Sequence, residues 1–301
     1  MPELPEVQTT ADDLNKLIKG QVIKNSWSGY NSKYYYGKPQ IKDPKYFKLF
    51  SKEIAGEKVI GVTRRGKNVL INLSNNKTIL VHMKMTGHIL YGKYKKDKNS
   101  WVPDVKSGPL LDPFNGWIRF IIEFKNGKHL ALSDMRKFAK ITLLETNNLL
   151  DSEDLQKIGP EILDGTFNFK KFKERLHKKP NGKIKTVLMD QEILAGIGNI
   201  YSDEALWLTK IHPENIVEKI SEEKLKELFK NCKKVLNKGI DFKGDSMQDY
   251  RRPSGEPGDF QNHHNVYQRK NKECNRKDCE GKISRIVVGS RSSHYCPNCQ
   301  K

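Results

Sequence analysis

Four cysteines near the end of the chain make the clearest chemical pattern in the sequence: Cys274-x4-Cys279, sixteen further residues, then Cys296-x2-Cys299. Two close pairs separated by a hairpin's length suit a tetrahedral four-thiolate zinc site, because each pair supplies two ligands from one turn. Such a site leaves no open coordination position, so one structural Zn2+ ion is expected, holding folded a segment too short to bury much of its own. Between the pairs lie Arg285, Arg291, Ser292, Ser293 and His294. A small arginine-tipped hairpin can reach a phosphate or a groove, although a solvated turn explains the same residues equally well. Upstream, the turn Ala195-Gly196-Ile197-Gly198 precedes Asn199, read as a helix N-cap. Glycines let a backbone approach a ligand and a helix N-terminus favours an anion, yet an ordinary helix connection is the commoner reason for such a turn. At the other end stands Pro2-Glu3-Leu4-Pro5-Glu6-Val7. With Met1 removed, Pro2 would carry a free secondary amine. A terminal amine has a pKa of about 7.7–8.0, so a useful fraction is neutral and nucleophilic near pH 7. A proline near a terminus is ordinarily part of a tail; two adjacent carboxylates set this one apart.

These groups need a scaffold, and 301 residues suffice for two domains, or two plus a small module. Lys and Arg number 55 against 36 Asp and Glu, a net charge of +19. That excess runs along the whole chain instead of forming one tail, which favours nucleic acid over an acidic membrane face or an acidic protein as the partner. No run approaches 18 apolar residues, and the opening residues lack a basic-then-apolar leader. An intracellular, cytoplasmic protein with reduced cysteines is expected, without membrane contact. Seven short apolar or alternating runs predict strands at 21–27, 58–63, 68–73, 78–82, 117–124, 129–133 and 138–144, a spacing that suggests a sandwich. One amphipathic helix precedes them, with Leu14, Leu17 and Ile18 inward. Residues 30–44 and 92–116 read as long surface loops without an assigned role. Beyond Asn147 the periodicity becomes helical, at 169–177, 184–194, 199–208 and 221–236. The last helix has Ser221 as N-cap and an apolar stripe that includes Cys232, expected in the core. Residues 239–264 are polar and rich in Gly and Pro, a long loop.

Together, the Pro2–Val7 motif, Gly196-Ile197-Gly198-Asn199-Ile200-Tyr201 and the four-cysteine finger resemble the formamidopyrimidine-DNA glycosylase/endonuclease VIII family, from residue 2 to residue 300. The resemblance implies an α+β protein in three parts. An N-terminal β-sandwich flanked by helices spans 1–146, a helical helix-two-turn-helix domain with a lesion-capping loop spans 147–264, and a zinc-finger β-hairpin spans 265–301. It implies a bifunctional DNA glycosylase and AP lyase of base excision repair, a monomer acting on double-stranded DNA that contains an oxidised base or an abasic site, and so nucleoid-associated. Pro2 would attack C1′ of the deoxyribose and form a Schiff base, with Glu3 as acid/base partner and Glu6 holding the terminus. Lys67, Asn199 and Arg291 match phosphate-contacting positions. Met85, Arg136 and Phe138 match the side chains that fill the hole left by an extruded base. Without the resemblance, Met85 and Phe138 would be read as strand core. Glu204 and Lys185 are further active-site candidates; for Glu204 a solvated helix carboxylate is an equally good reading.

Leu4 and the Met/Arg/Phe trio resemble the branch acting on oxidised purines such as 8-oxoguanine and formamidopyrimidines. The loop containing 245–250 and 255–260 resembles that branch's purine-closing segment. Gln8 where Glu is frequent, the two long loops, and the four-residue spacing of the first cysteine pair depart from the pattern. An endonuclease VIII-like enzyme for oxidised pyrimidines, a non-catalytic DNA-binding protein and a zinc-ribbon RNA-binding protein are the rival readings.

Overall fold

Helix α1 (Leu4–Ile18) opens the chain, with Pro5 in its first turn, where no intrahelical N–H bond is lost. The Glu6 carboxylate reaches back 2.7 Å to the Glu3 N–H, satisfying a donor that a helix start leaves over. Val7, Ala11, Leu14 and Ile18 form its buried stripe. Leu17, expected inward, is 40% exposed, because at 3.6 residues per turn it lies roughly 80° off that stripe. A computed structural model describes all residues, Met1–Lys301. By contacts they divide into two units, Met1–Gln156 with Phe242–Asp259, and Lys157–Asp241 with Phe260–Lys301.

In the first unit, β1 (Ile23–Ser28) leads through a 3-10 turn at Lys33–Tyr35 to α2 (Pro44–Ile54). Then follow β2 (Val59–Arg65), β3 (Asn68–Leu73), β4 (Lys77–His82), β5 (His88–Gly92), β6 (Tyr94–Asp97), β7 (Ser100–Pro103), β8 (Ile118–Phe124), β9 (His129–Ser133) and β10 (Lys140–Glu145). They make two antiparallel four-stranded sheets, β1-β8-β9-β5 and β10-β4-β3-β2, and a separate β6–β7 hairpin. The sandwich expectation holds: Phe120, Ile122, Phe124, Leu130 and Leu132 of one sheet share a single core with Val69, Ile71, Ile79, Val81 and Ile141 of the other. Each such side chain contributes about 1.5–3 kcal/mol by leaving water. Helix α2 was not anticipated, although Asp43 caps it by accepting the Lys45 N–H at 2.9 Å and Pro44 begins it. The β6–β7 hairpin replaces part of an expected loop; the charged tail of Tyr94-Lys95-Lys96-Asp97 hides the alternation. It covers the outer face of the first sheet, where Trp101 packs near Trp27.

Residues 242–259 belong to this unit, not to the helical part with which the sequence groups them. The Tyr91 N–H donates to the Pro253 carbonyl at 2.8 Å, Asn115 Nδ2 to the Gly255 carbonyl at 3.2 Å, and Arg251 pairs with Asp112 at 2.9 Å. Their partners lie more than a hundred residues upstream, which no local pattern announces.

The second unit contains α3 (Phe169–Leu176), α4 (Ile184–Met189), α5 (Asn199–Thr209), α6 (Glu222–Asp241) and the hairpin β11 (Ser284–Val288) with β12 (Arg291–Tyr295). Helix α4 ends five residues before the expected Leu194. There the Asp190 carbonyl takes the Ile193 and Leu194 N–H groups into a turn. On α6, Leu225, Leu228, Cys232, Val235 and Leu236 are buried as the periodicity predicts. Burial pushes the Cys232 thiol up to about 12, so it is an inert core residue. No helix is long and apolar enough to cross a membrane.

Candidate functional site

The N-terminal corner of the first unit is enclosed. Pro2 and Glu3 are buried, whereas Met1 is 41% exposed. Glu6, 1% exposed, uses both oxygens: Oε2 accepts the Glu3 N–H and Oε1 accepts the Asp245 N–H, each at 2.7 Å. One carboxylate therefore fixes the backbone beside Pro2 and the start of the 242–259 segment. The Tyr250 hydroxyl adds a bond to the Glu6 carbonyl at 3.1 Å. Burial raises the Tyr250 phenol above its ordinary range, so it stays a neutral donor.

Lys67 is 6% exposed and sits in the two-residue turn Gly66-Lys67 joining β2 to β3, not within a strand. Arg64 braces this turn, donating from Nη1 to the Gly66 carbonyl at 2.9 Å and from Nε to Gln8 Oε1 at 2.9 Å. Across the sheet is His82, which the sequence reading passed over. Desolvation, then the nearby Lys84 and Lys67 charges, push its pKa down to about 3, so the ring is neutral at physiological pH. Its Nδ1 accepts the Lys84 N–H at 3.0 Å, which places the ring proton on Nε2. A neutral N–H donor beside buried lysine is an arrangement suited to an anion.

Met85 lies on the turn from β4 to β5, and Arg136 and Phe138 on the turn from β9 to β10. The first turn is so tight that a Cβ on Gly87 would stand 2.4 Å from the Met83 carbonyl oxygen. Phe138 is 47% exposed, not the core residue its strand-like context suggested, and the Arg136 guanidinium stacks 4.5 Å from its ring centroid. An exposed aromatic with a cation on its face has the chemistry to stack on a base.

In the second unit, Gln191 staples the turn between α4 and α5. Its Nε2 donates to the Met189 and Ile197 carbonyls, both at 2.8 Å, and its Oε1 accepts the Gly196 N–H at 2.9 Å. Gly196 has φ +88°, open to glycine at little cost. The N-cap of α5 is Gly198, not Asn199; the extended cap conformation falls on Gly198 and Asn199 becomes the first helical residue. Asn199 Oδ1 is buried without a hydrogen-bond partner. Asn199, Arg285, Arg291, Ser292, His294 and Tyr267 line an open depression of about 410 Å³.

The depression is built by two buried carboxylates. Asp203, from α5, pairs with fully buried Lys185 of α4 and accepts Ser293 Oγ and the His294 N–H, both at 2.8 Å. Lys185 also donates to the Ser292 carbonyl at 3.1 Å, so this pair ties β12 to the helices. Glu204 is not solvated: its two oxygens gather the N–H groups of Asn265, Val266 and Tyr267 at 2.9–3.0 Å.

The four cysteine sulfurs lie within 4.8 Å of one another, with Cys279–Cys296 at 3.5 Å and Cys274–Cys299 at 3.9 Å. Tetrahedral Zn–S bonds of about 2.3 Å place sulfurs roughly 3.8 Å apart, so the cluster fits one zinc ion. Trp207 Nε1 and Asn298 Nδ2 each point a donor at a sulfur from 3.4 Å, to Cys274 and Cys279, as thiolates favour.

Three family models match in chain order: Formamidopyrimidine-DNA glycosylase N-terminal domain over residues 1–141, Formamidopyrimidine-DNA glycosylase H2TH domain over 158–251, and Zinc finger found in FPG and IleRS over 271–301. The Formamidopyrimidine-DNA glycosylase of Herpetosiphon aurantiacus is 36% identical over 300 residues, covering all of both chains. That of Pediococcus pentosaceus is 34% identical, covering 100% of this chain and 99% of its own. Among solved structures, Lactococcus lactis Fpg with abasic-site DNA matches at TM-score 0.82 and 31% identity, covering 99% of each chain. A variant of it with Fapy-dG-containing DNA gives the same score and identity, covering 100% of each. With whole-length relatives, three matching domains in order and a finger whose sulfurs fit zinc, the chain belongs to the formamidopyrimidine-DNA glycosylase family.

Proposed function

We infer that the chain is a DNA glycosylase of base excision repair that also cleaves the strand at the resulting abasic site, with oxidised purines as its substrates. The glycosylase assignment follows from the family. The lyase step and the purine preference are our reading. In it, the neutral Pro2 amine, freed by removal of Met1, attacks C1′ while the glycosidic bond breaks and the base leaves with a proton. Glu3 protonates the opening sugar and later accepts a proton, so that the C1′–O4′ bond breaks, a Schiff base forms, and β,δ-elimination releases the two phosphate ends. Lys67 and neutral His82 bind a phosphate from the first unit, and Asn199 and Arg291 bind phosphates from the second. Lys185 and Glu204 act as positioning residues, the first by holding β12 and the second by holding residues 265–267.

The observation that carries this reading is the buried Pro2-Glu3 step immediately before helix α1, its backbone fixed by Glu6 and preceded only by the more exposed Met1. The Lactococcus lactis relative's complexes with abasic-site DNA and with Fapy-dG DNA favour a purine lesion. Duplexes carrying 8-oxoguanine or thymine glycol decide the branch: faster excision of 8-oxoguanine is expected, and preference for thymine glycol would reassign the chain to the pyrimidine branch. Pro2→Gly should lose excision and strand cleavage while keeping DNA affinity. Full activity in that variant would overturn the proline mechanism.

A further inference from the structure

Residues 30–44 have no part in the chemistry above, yet one of them reaches the turns that carry Met85, Arg136 and Phe138. The link is Asp134, a fully buried carboxylate between those turns. Its Oδ1 accepts Thr86 Oγ1 at 2.7 Å, and its Oδ2 accepts both the Ala139 N–H at 2.9 Å and the Tyr30 hydroxyl at 2.8 Å. Thr86 Oγ1 in turn accepts the Arg136 N–H at 3.1 Å. One carboxylate thus touches the residue after Met85, the residue after Phe138 and, through Thr86, Arg136 itself.

Asp134 makes no ion pair. Two cations act around it: Arg119 Nε donates to the Asp134 carbonyl at 3.4 Å, and the Lys42 ammonium of the same segment is buried over the rings of Tyr35 and Tyr30, 4.7 and 5.5 Å from their centroids. Burial lowers the Lys42 pKa, Asp134 pulls it back up, and Lys84 lowers it. Burial and the neighbouring carboxylate raise that of Tyr30, so its hydroxyl remains a donor at every working pH. The segment is itself fastened, with the Ile41 N–H on the Ile141 carbonyl at 3.1 Å and Thr142 Oγ1 on the Pro39 carbonyl at 2.6 Å. A donor set on such a mount can hold a carboxylate in one place.

We propose that Tyr30 is a positioning residue for base extrusion: by fixing Asp134 it sets the spacing of the two turns whose side chains enter the duplex in place of the displaced base. This rests on the reading of Met85, Arg136 and Phe138 as void-filling groups. Unstacking a base costs a few kcal/mol, and a wedge held loosely recovers less of that cost. An abasic site has no base to extrude, so its cleavage depends far less on the spacing.

The test compares Tyr30→Phe with the wild-type chain in single-turnover reactions on two duplexes of one sequence, one with 8-oxoguanine and one with an abasic site. 2-Aminopurine opposite the lesion reports entry of the wedge. Phenylalanine keeps the ring and removes one bond to a buried carboxylate, so excision should slow about tenfold and the 2-aminopurine rise should slow with it, while abasic cleavage stays unchanged. Equal slowing on both duplexes would mark a general structural role and overturn the proposal, as would wild-type rates on both. Phe138→Ala separates the layers. If that variant extrudes the base normally, the wedge reading itself falls. If it is slow while Tyr30→Phe is not, the wedge stands and only the role of Tyr30 is lost.

Discussion

Replacing Glu6 by Gln tests the link between the N-terminal corner and the 242–259 segment, because the side chain keeps its shape and loses one acceptor. Its two oxygens accept the backbone N–H groups of Glu3 and of Asp245, each at 2.7 Å. An amide offers one oxygen, so whichever N–H keeps it, the other faces an NH2 donor in a site 1% exposed to solvent. An orphaned buried donor costs about 1–3 kcal/mol, and the surviving bond loses the charge assistance worth about another 1 kcal/mol. The sum, about 2–4 kcal/mol, appears in full in global unfolding only if the segment stays docked. If the segment opens locally and lets water in, part of the loss moves into faster amide exchange at Asp245. Urea denaturation with hydrogen exchange reads both routes, and single-turnover excision should fall by at least tenfold because Pro2-Glu3 is no longer held. Stability within about 0.5 kcal/mol of wild type, with unchanged exchange at Glu3 and Asp245, would refute the reasoning.

Zinc removal by a chelator should unfold the β11–β12 module and, with it, weaken duplex binding; retained affinity in metal-free protein would separate the finger from the DNA contact. Arg291→Ala should weaken binding to all duplexes alike and shallow the log–log salt dependence by about 0.9, one phosphate contact; an unchanged slope counts against that anchor. Lys185→Met leaves the Asp203 carboxylate buried without its cation, a loss of about 3–5 kcal/mol measurable by denaturation, and a variant as stable as wild type would show that Ser293 and His294 suffice. His88 is buried against Asn115, Nε2 to Oδ1 at 2.9 Å, and burial lowers its pKa to about 4. Its neutral form is favoured by folding, so the stability it confers is whole above the unfolded value of about 6.5 and is lost as pH falls from there toward 4. His88→Gln should flatten the stability profile in that window; a profile as steep as wild type places the acid sensitivity elsewhere.

Periodicity located what locally patterned residues build. The strands at 68–73 and 129–133 have the bounds read from their apolar runs, and the cysteine spacing located the metal cluster. What stayed hidden was made by distant partners or masked by charge. Helix α2, Pro-Lys-Tyr-Phe-Lys-Leu-Phe-Ser-Lys-Glu-Ile, buries only Phe50 and Ile54, so lysines dilute its stripe, and the Asp43-Pro44 cap was the available signal. Glu204 looks like any helical carboxylate until the backbone sixty residues later folds onto it. His82 lies only three residues before Met85, but a histidine on a strand announces nothing until Lys67 and Lys84 flank it. Gln191 and Tyr30 are ordinary residue types whose meaning lies wholly in the turns they brace.

The proposed chemistry turns on which nitrogen bonds to the sugar. Borohydride reduction of the protein on abasic DNA, followed by proteolysis and mass spectrometry of the trapped peptide, addresses that atom directly. The expected product is the N-terminal peptide starting at Pro2, Met1 absent, with the sugar remnant on the proline nitrogen. An adduct on Lys67 or another lysine, or fully active protein that retains Met1, would contradict it.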